Sequence, residues 1–216
     1  MAQSIGLIGG TGPEGKALAA RFARAGLDVV IGSRSAERGE DAAAEVSRLA
    51  GRAVRGATNA DAAAAGEIVV VTLPYEGQAE TLPDLAPALD GKIVVSAVVP
   101  LEFSRRRVAM LEVAGHSAAE EAQVALPDAR VVGAFQNLSA KRLLDLDHAI
   151  DGDVIVCGDD AEAVDAVVAL AQQIRAVRGV RGGPLHCSRY VEGLTALQIN
   201  VNRLYKTETH PRLLGI

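Results

Sequence analysis

Ser4-Ile5-Gly6-Leu7-Ile8-Gly9-Gly10-Thr11-Gly12-Pro13-Glu14-Gly15 carries a short apolar run straight into glycines, and a helical pattern follows from Glu14 to Ala25. Gly10 to Gly15 match G-x-G-x-x-G in the strand-turn-helix context that gives this spacing its meaning. Gly10 permits the tight turn, Gly12 lets a pyrophosphate approach the backbone, and Gly15 lets helix and strand pack closely. The helix start then offers unpaired N–H groups and a partial positive charge to phosphates. Gly10, Thr11, Gly12, Pro13, Glu14 and Gly15 are therefore candidate cofactor-binding residues.

The end of the second strand decides which dinucleotide fits. An NAD site places a carboxylate there, ~20 residues on, to bond the ribose 2′-hydroxyl. This chain has Gly32-Ser33-Arg34 instead, with Arg38 four residues later. Ser33 can donate to a 2′-phosphate, and Arg34 and Arg38, one helical turn apart, can offer it planar guanidinium forks. A hydrogen bond to a charged group is worth roughly 1.5–3 kcal/mol, so two such contacts favour NADP over NAD by about a hundredfold or more.

Outward from this stretch, short apolar runs alternate with longer alanine-rich amphipathic ones, as in a doubly wound α/β fold. Strands are expected at Ser4 to Ile8, Asp28 to Ile31, Ile68 to Thr72, Lys92 to Ser96, Arg130 to Gly133 and Val154 to Cys157. Helices are expected at Glu14 to Ala25, Ala36 to Ala50, Gln78 to Leu89, Ser117 to Leu126 and Asp160 to Ile174. A last helix, Arg189 to Lys206, is long enough to leave the sheet and cap it or cross to a partner subunit. The expected architecture is a Rossmann-like, mostly parallel sheet over residues 1–138, and a small C-terminal α/β portion, 139–216, ending in that helix.

Composition limits the remaining options. At 216 residues the chain holds one cored α/β domain with at most a small appendage, which excludes the large two-domain dehydrogenases. A net charge of -5 argues against a nucleic-acid or polybasic membrane surface. The apolar stretch near the N-terminus is too short for a targeting segment, and a cytoplasmic location is the expectation. Cys157 and Cys187 lack paired spacing and read as free thiols, with no metal site expected. His116, His148, His186 and His210 read as solvated or core histidines. Arg105-Arg106-Arg107 reads as a solvated helix face or, in the sharper reading, a site for an acidic ligand tail.

Several blocks together resemble the coenzyme F420-dependent NADP reductases over nearly the whole chain. The first are Gly9-Gly10-Thr11-Gly12, Ile31-Gly32-Ser33-Arg34, Leu73-Pro74-Tyr75-Glu76, Val99-Pro100 and Ala134-Phe135-Gln136-Asn137-Leu138. Later ones are Val156-Cys157-Gly158-Asp159-Asp160, Gly183-Pro184-Leu185, Ser188-Arg189, Val191-Glu192 and Leu194-Thr195. The resemblance implies hydride transfer between NADP(H) and the deazaflavin coenzyme F420 as co-substrate. It also implies that Thr11, Ser33, Arg34 and Arg38 hold the 2′-phosphate end, Arg38 standing where the family has lysine. Leu73, Pro74, Val99 and Pro100 then lie near the nicotinamide, and Leu138 sets the gap between the two rings. Arg189 and Thr195 fall on positions associated with the deazaflavin, as does Gln136, which stands where some members have His; Gly193 stands where some have Ser. A homodimer is the family expectation.

Ring-to-ring hydride transfer requires close, stacked and dry rings more than a nucleophile, so positioning carries the catalysis. Three other readings share the N-terminal pattern: an NADPH-dependent imine or small-carbonyl reductase, a flavin or ferric reductase, and a non-catalytic NADPH sensor. Length weighs against the first, which usually carries a longer helical domain than the residues after Gly158 provide.

Overall fold

The computed structural model describes residues 3–105 and 107–216. In chain order, β1 (Ser4–Ile8), α1 (Pro13–Arg24), β2 (Asp28–Ser33), α2 (Ala36–Ala50), β3 (Arg55–Thr58), α3 (Asn59–Ala65), β4 (Ile68–Val71), α4 (Tyr75–Leu89) and β5 (Ile93–Ser96) form the first half. A small hairpin follows, β6 (Leu101–Phe103) and β7 (Val108–Met110), then α5 (Ala118–Ala125) and β8 (Arg130–Gly133). The chain ends with α6 (Ala140–Leu144), β9 (Gly152–Gly158), α7 (Ala161–Ala171), β10 (Val177–Gly183), a 3₁₀ turn (Leu185–Cys187) and α8 (Ser188–Tyr205).

Eight strands make one sheet in the order β10-β9-β8-β5-β4-β1-β2-β3. Ile5 stands opposite Val29 on one side and Ile68 on the other, so β1 is an interior strand. The chain leaves β1 towards β2 on one side and later returns to β4 on the other. That reversal opens a crevice beyond the carboxyl ends of β1 and β4, where open α/β sheets bind ligands. Successive β4 residues face opposite layers. Ile68 and Val70 join Leu18, Phe22, Val46 and Val167 on one face, while Val69 and Val71 join Leu82, Leu89 and Leu126 on the other. Both faces are covered, as the apolar runs require.

All pairs in this sheet are parallel except β8 with β9, where Val132 faces Gly158 and Gly133 faces Cys157. Through that pair the residues after 138 extend the same sheet. The sequence pattern passes over β3 and β10 because both are edge strands, and edges tolerate charge and glycine. Arg55-Gly56-Ala57-Thr58 buries no large side chain. A Cβ on Gly56 would come within 2.3 Å of the Glu40 amide nitrogen, so β3 is held by tight backbone contact with α2. Other bounds shift slightly: α4 begins at Tyr75 rather than Gln78, and α7 ends at Ala171 rather than Ile174. Arg105 and Arg107 are exposed in the β6–β7 turn and not on a helix; Arg106 lies outside the described residues.

The C-terminal tail folds back over β9. Asp153, fully buried, receives two 2.8 Å bonds from the Arg178 guanidinium and a 2.6 Å bond from the Leu213 amide. These bonds to the charged form hold its carboxyl below the ordinary range. No helix among the described residues is long and apolar enough to cross a membrane.

Candidate active site

The turn after β1 is built around the three glycines. A Cβ on Gly15 would lie 2.5 Å from the Gly10 Cα, so α1 is pressed against the turn itself. A Cβ on Gly12 would meet only the Gly9 carbonyl oxygen at 3.9 Å, leaving open space before the N-terminus of α1. Gly12 caps that helix without a side-chain bond, and the first i to i−4 bond runs from the Lys16 amide to the Gly12 carbonyl, 3.0 Å. The amides of Glu14 and Gly15 precede it and stay free for a ligand. Asn59 fixes the turn from behind. Its Oδ1 accepts from the Gly9 amide at 3.0 Å, while the Gly10 amide donates to the Gly32 carbonyl at 3.0 Å.

Ser33 ends β2 and is buried, and Arg34 and Arg38 are exposed beside it. Because α2 starts at Ala36, Arg34 precedes the helix, and the two arginines do not share a helical face. What they share is the mouth of β2. Among the described residues neither has a carboxylate partner, so both guanidinium groups are available to an anion.

A cleft of about 410 Å³ opens on the other side of the turn. Glu14, Ala97, Val99, Leu138, Thr195 and Gln198 are among its walls, with Phe103 of the hairpin and Glu208 and Thr209 of the tail. One wall rests on a strained residue. Buried Phe135 has φ +72°, packs edge-on against Phe22 at 5.8 Å, and precedes Gln136, Asn137 and Leu138, which all line the cleft. Asn137 ties this bend to α8, donating to the Val191 carbonyl at 2.8 Å and to the Thr195 hydroxyl at 2.9 Å. Thr195 in turn donates to the Gln136 carbonyl at 3.0 Å. The arrangement couples a phosphate cradle to a narrow, largely apolar slot.

Residues 4–100 match the family described as NADP oxidoreductase, coenzyme F420-dependent. The F420-dependent NADP reductase of Methanothermobacter thermautotrophicus is 40% identical over 94% of this chain and 90% of its own. That of Methanocaldococcus jannaschii is 39% identical over 94% of each. The chain belongs to the F420-dependent NADP reductases. It is therefore an NADP-dependent oxidoreductase. A crystal structure from Arthrobacter sp. FB24, described as a candidate F420-dependent NADP reductase, superposes with a TM-score of 0.84 at 26% identity, covering 100% of both chains.

In this reductase two buried carboxyl groups stand out. Glu192 on α8 accepts from the Ala118 and Ala119 amides at 3.0 and 3.2 Å, capping α5 from outside that helix. Burial nevertheless pushes its carboxyl up to about 7. Glu14, in the first turn of α1, is half-buried as a residue, but its Oε1 is shut off from solvent with no partner, and desolvation pushes its carboxyl up to about 8.

Of the residues singled out from sequence, the fold gathers Glu14, Val99, Gln136, Leu138 and Thr195 on the cleft, and Gly10, Thr11, Gly12, Pro13 and Gly15 in the adjoining turn. Leu73 and Pro74 follow β4 beside that turn: a Cβ on Gly9 would touch the Leu73 side chain at 2.7 Å. Pro100 is buried just before β6. Arg189 does not line the cleft. It sits in the first turn of α8, donating to the His186 carbonyl at 3.0 Å, with its guanidinium 5.7 Å from the Tyr190 ring. Asn59, Gln198, Phe103 and the tail residues Glu208 and Thr209 are not singled out by the sequence pattern. Asn59 alone leaves a signal there, as a small polar residue directly after a threonine that caps a helix.

Proposed function

We propose that the reductase moves a hydride between NADPH and the deazaflavin F420, with the turn, the β2 mouth and the cleft as three parts of one site. The reading is carried by the adjacency of the free amides at the start of α1 to a slot walled by Val99, Leu138 and Thr195. A dinucleotide lying over those amides points its nicotinamide towards that slot. Ser33, Arg34 and Arg38 hold its 2′-phosphate, and Thr11 supports that end. Residues 1–138 bind the dinucleotide, while residues 139–216 complete the deazaflavin side through Thr195 and Gln198.

The residues present fit both groups. Open space before Gly12 suits a pyrophosphate, and cations without carboxylate partners suit a phosphate. The orphaned oxygens of Gln136 and Asn137 suit N–H donors on a ring or carboxamide. NADPH supplies the hydride; the protein orients and dries the site. Leu138, buried at the bend after β8, would set how closely the two rings approach, and the network of Asn137, Thr195 and Gln136 holds that bend. Bringing two reactants into a near-attack geometry supplies roughly 7–11 kcal/mol of catalysis without any covalent step.

A homodimer in the cytoplasm, where soluble NADP(H) is held, completes the proposal. Tyr190, Leu197 and Leu204 are exposed on α8 at seven-residue spacing, with Leu194 and Val201 half-buried between them. This is the stripe by which one helix packs on another.

Mixing the pure protein with NADPH and oxidised F420 tests the central claim. The visible absorbance of the deazaflavin should bleach as NADPH is consumed; its persistence in the presence of bound NADPH refutes the reading.

A further inference from the structure

We propose that Glu14 is the catalytic acid and base of the reaction, carrying the one proton that must accompany the hydride. The inference rests on the cleft being the ring site. Four of its wall residues hold a buried side-chain oxygen without a hydrogen-bond partner: Glu14 Oε1, Gln136 Oε1, Asn137 Oδ1 and Gln198 Oε1. Three are amides whose NH₂ groups are committed, Gln136 to the Ser96 carbonyl at 3.1 Å, Asn137 to Val191 and Thr195, and Gln198 to the Thr209 carbonyl at 3.3 Å. Their oxygens can only accept. Glu14 alone among the four wall residues carries a titratable proton.

Its surroundings keep that proton in place at neutral pH. The helix dipole of α1 favours a carboxylate in the first turn, yet burial dominates and shifts the group to about 8. Among the described residues, no cation on the cleft wall offsets this. The other ionisable wall residue is Glu208, which accepts from the Ser139 hydroxyl at 2.7 Å and lies 3.8 Å from the Lys141 ammonium. Lys16, next but one on α1, is engaged by Glu45 of α2. A neutral Glu14 also spares the neighbouring pyrophosphate a like charge.

In the forward direction a C–H bond of NADPH breaks with its electron pair, which forms a C–H bond on the deazaflavin, and the displaced ring electrons take a proton at a ring nitrogen. Glu14 supplies that proton from its O–H, is left as the carboxylate, and regains a proton from water between turnovers. In reverse it accepts the proton.

Two measurements test the assignment. In the ligand-free protein labelled with [δ-¹³C]Glu, the resonance lost in Glu14→Gln should titrate near pH 8; titration in the ordinary range near 4.5 overturns the proposal. In single-turnover stopped flow at saturating NADPH, Glu14→Gln should transfer hydride about 10²-fold or more slowly than the wild type at pH 7, the scale of general acid catalysis. The wild-type rate should fall above about pH 8, and that fall should vanish in the variant. Glu14→Asp, which keeps the acid, should recover part of the rate and the pH dependence. An unchanged rate and profile in Glu14→Gln overturns the proposal. Failure of the wild type itself to transfer hydride refutes the function instead, and the titration still reports on Glu14.

Discussion

Exchanging Gly12 and Gly15 separately for alanine should split cofactor binding from folding. At Gly15 the new methyl would sit 2.5, 2.7 and 2.8 Å from the Cα, carbonyl oxygen and carbonyl carbon of Gly10. All three are backbone atoms, so relief requires α1 to shift from β1. Overpacking of this kind costs about 1–3 kcal/mol, offset by up to about 1 kcal/mol of better helix propensity. Gly15→Ala should therefore lower Tm and disturb the turn. At Gly12 the methyl meets only one oxygen at 3.9 Å, and the fold should not respond. That methyl fills the space through which a pyrophosphate reaches the amides of Glu14 and Gly15. Losing one or two bonds to a charged group, roughly 1.5–3 kcal/mol each, raises Kd for NADPH by about 10- to 100-fold or more. Thermal melts followed by NADPH fluorescence titration decide the matter. Wild-type affinity in a normally folded Gly12→Ala would refute the placement of the pyrophosphate.

The rest of the site and the fold make their own demands. Arg34→Glu should raise KM for NADPH about a hundredfold, by replacing an attraction with a repulsion; an unchanged KM in steady-state assays removes Arg34 from the 2′-phosphate site. Leu138→Ala should leave NADPH affinity within a few-fold while slowing transfer about 10²-fold, the scale expected when reacting groups lose about 1 Å of register, as stopped flow would record. Glu192 is shifted from 4.5 to about 7 in the folded protein, so the folded state binds its proton more tightly than the unfolded chain. Its contribution to stability is greatest below pH 4.5 and falls as pH rises to about 7, by about 3 kcal/mol. Glu192→Gln should flatten that part of a urea-denaturation profile, and an unaltered slope counts against the assignment. Leu197→Glu combined with Leu204→Glu should halve the particle mass in light scattering while the fold persists; a mass that stays dimeric rejects the α8 interface.

The βαβ core is readable in the sequence because its strands are buried on both faces. A run such as Ile68-Val69-Val70-Val71 bounded by turn residues suits a buried parallel strand, and a glycine turn between such a strand and a helix adds the nucleotide site. β3 and β10 are not readable, for the complementary reason. An edge strand is held by backbone pairing, so Arg55-Gly56-Ala57-Thr58 and the stretch from Val177 to Gly183 need no apolar pattern. The hairpin of β6 and β7, three residues a side, is too short to generate a period.

The site divides along the same line. Its glycines and arginines declare themselves through local spacing, because a phosphate is held by consecutive amides and by side chains within one strand-to-helix connection. The ring cleft has no such local rule. Thr209 reaches its wall because the tail is pinned at Asp153, through the Leu213 amide and the Arg178 guanidinium, and because Asn202 accepts from the Thr209 amide at 2.8 Å. Glu14 shows the difference most directly. As a variable position of the glycine motif it carries no chemical expectation of its own beyond lining the turn. The packing of the folded chain around the cleft takes its carboxyl out of water, and burial, not residue type, pushes an ordinary first-turn glutamate up to about 8.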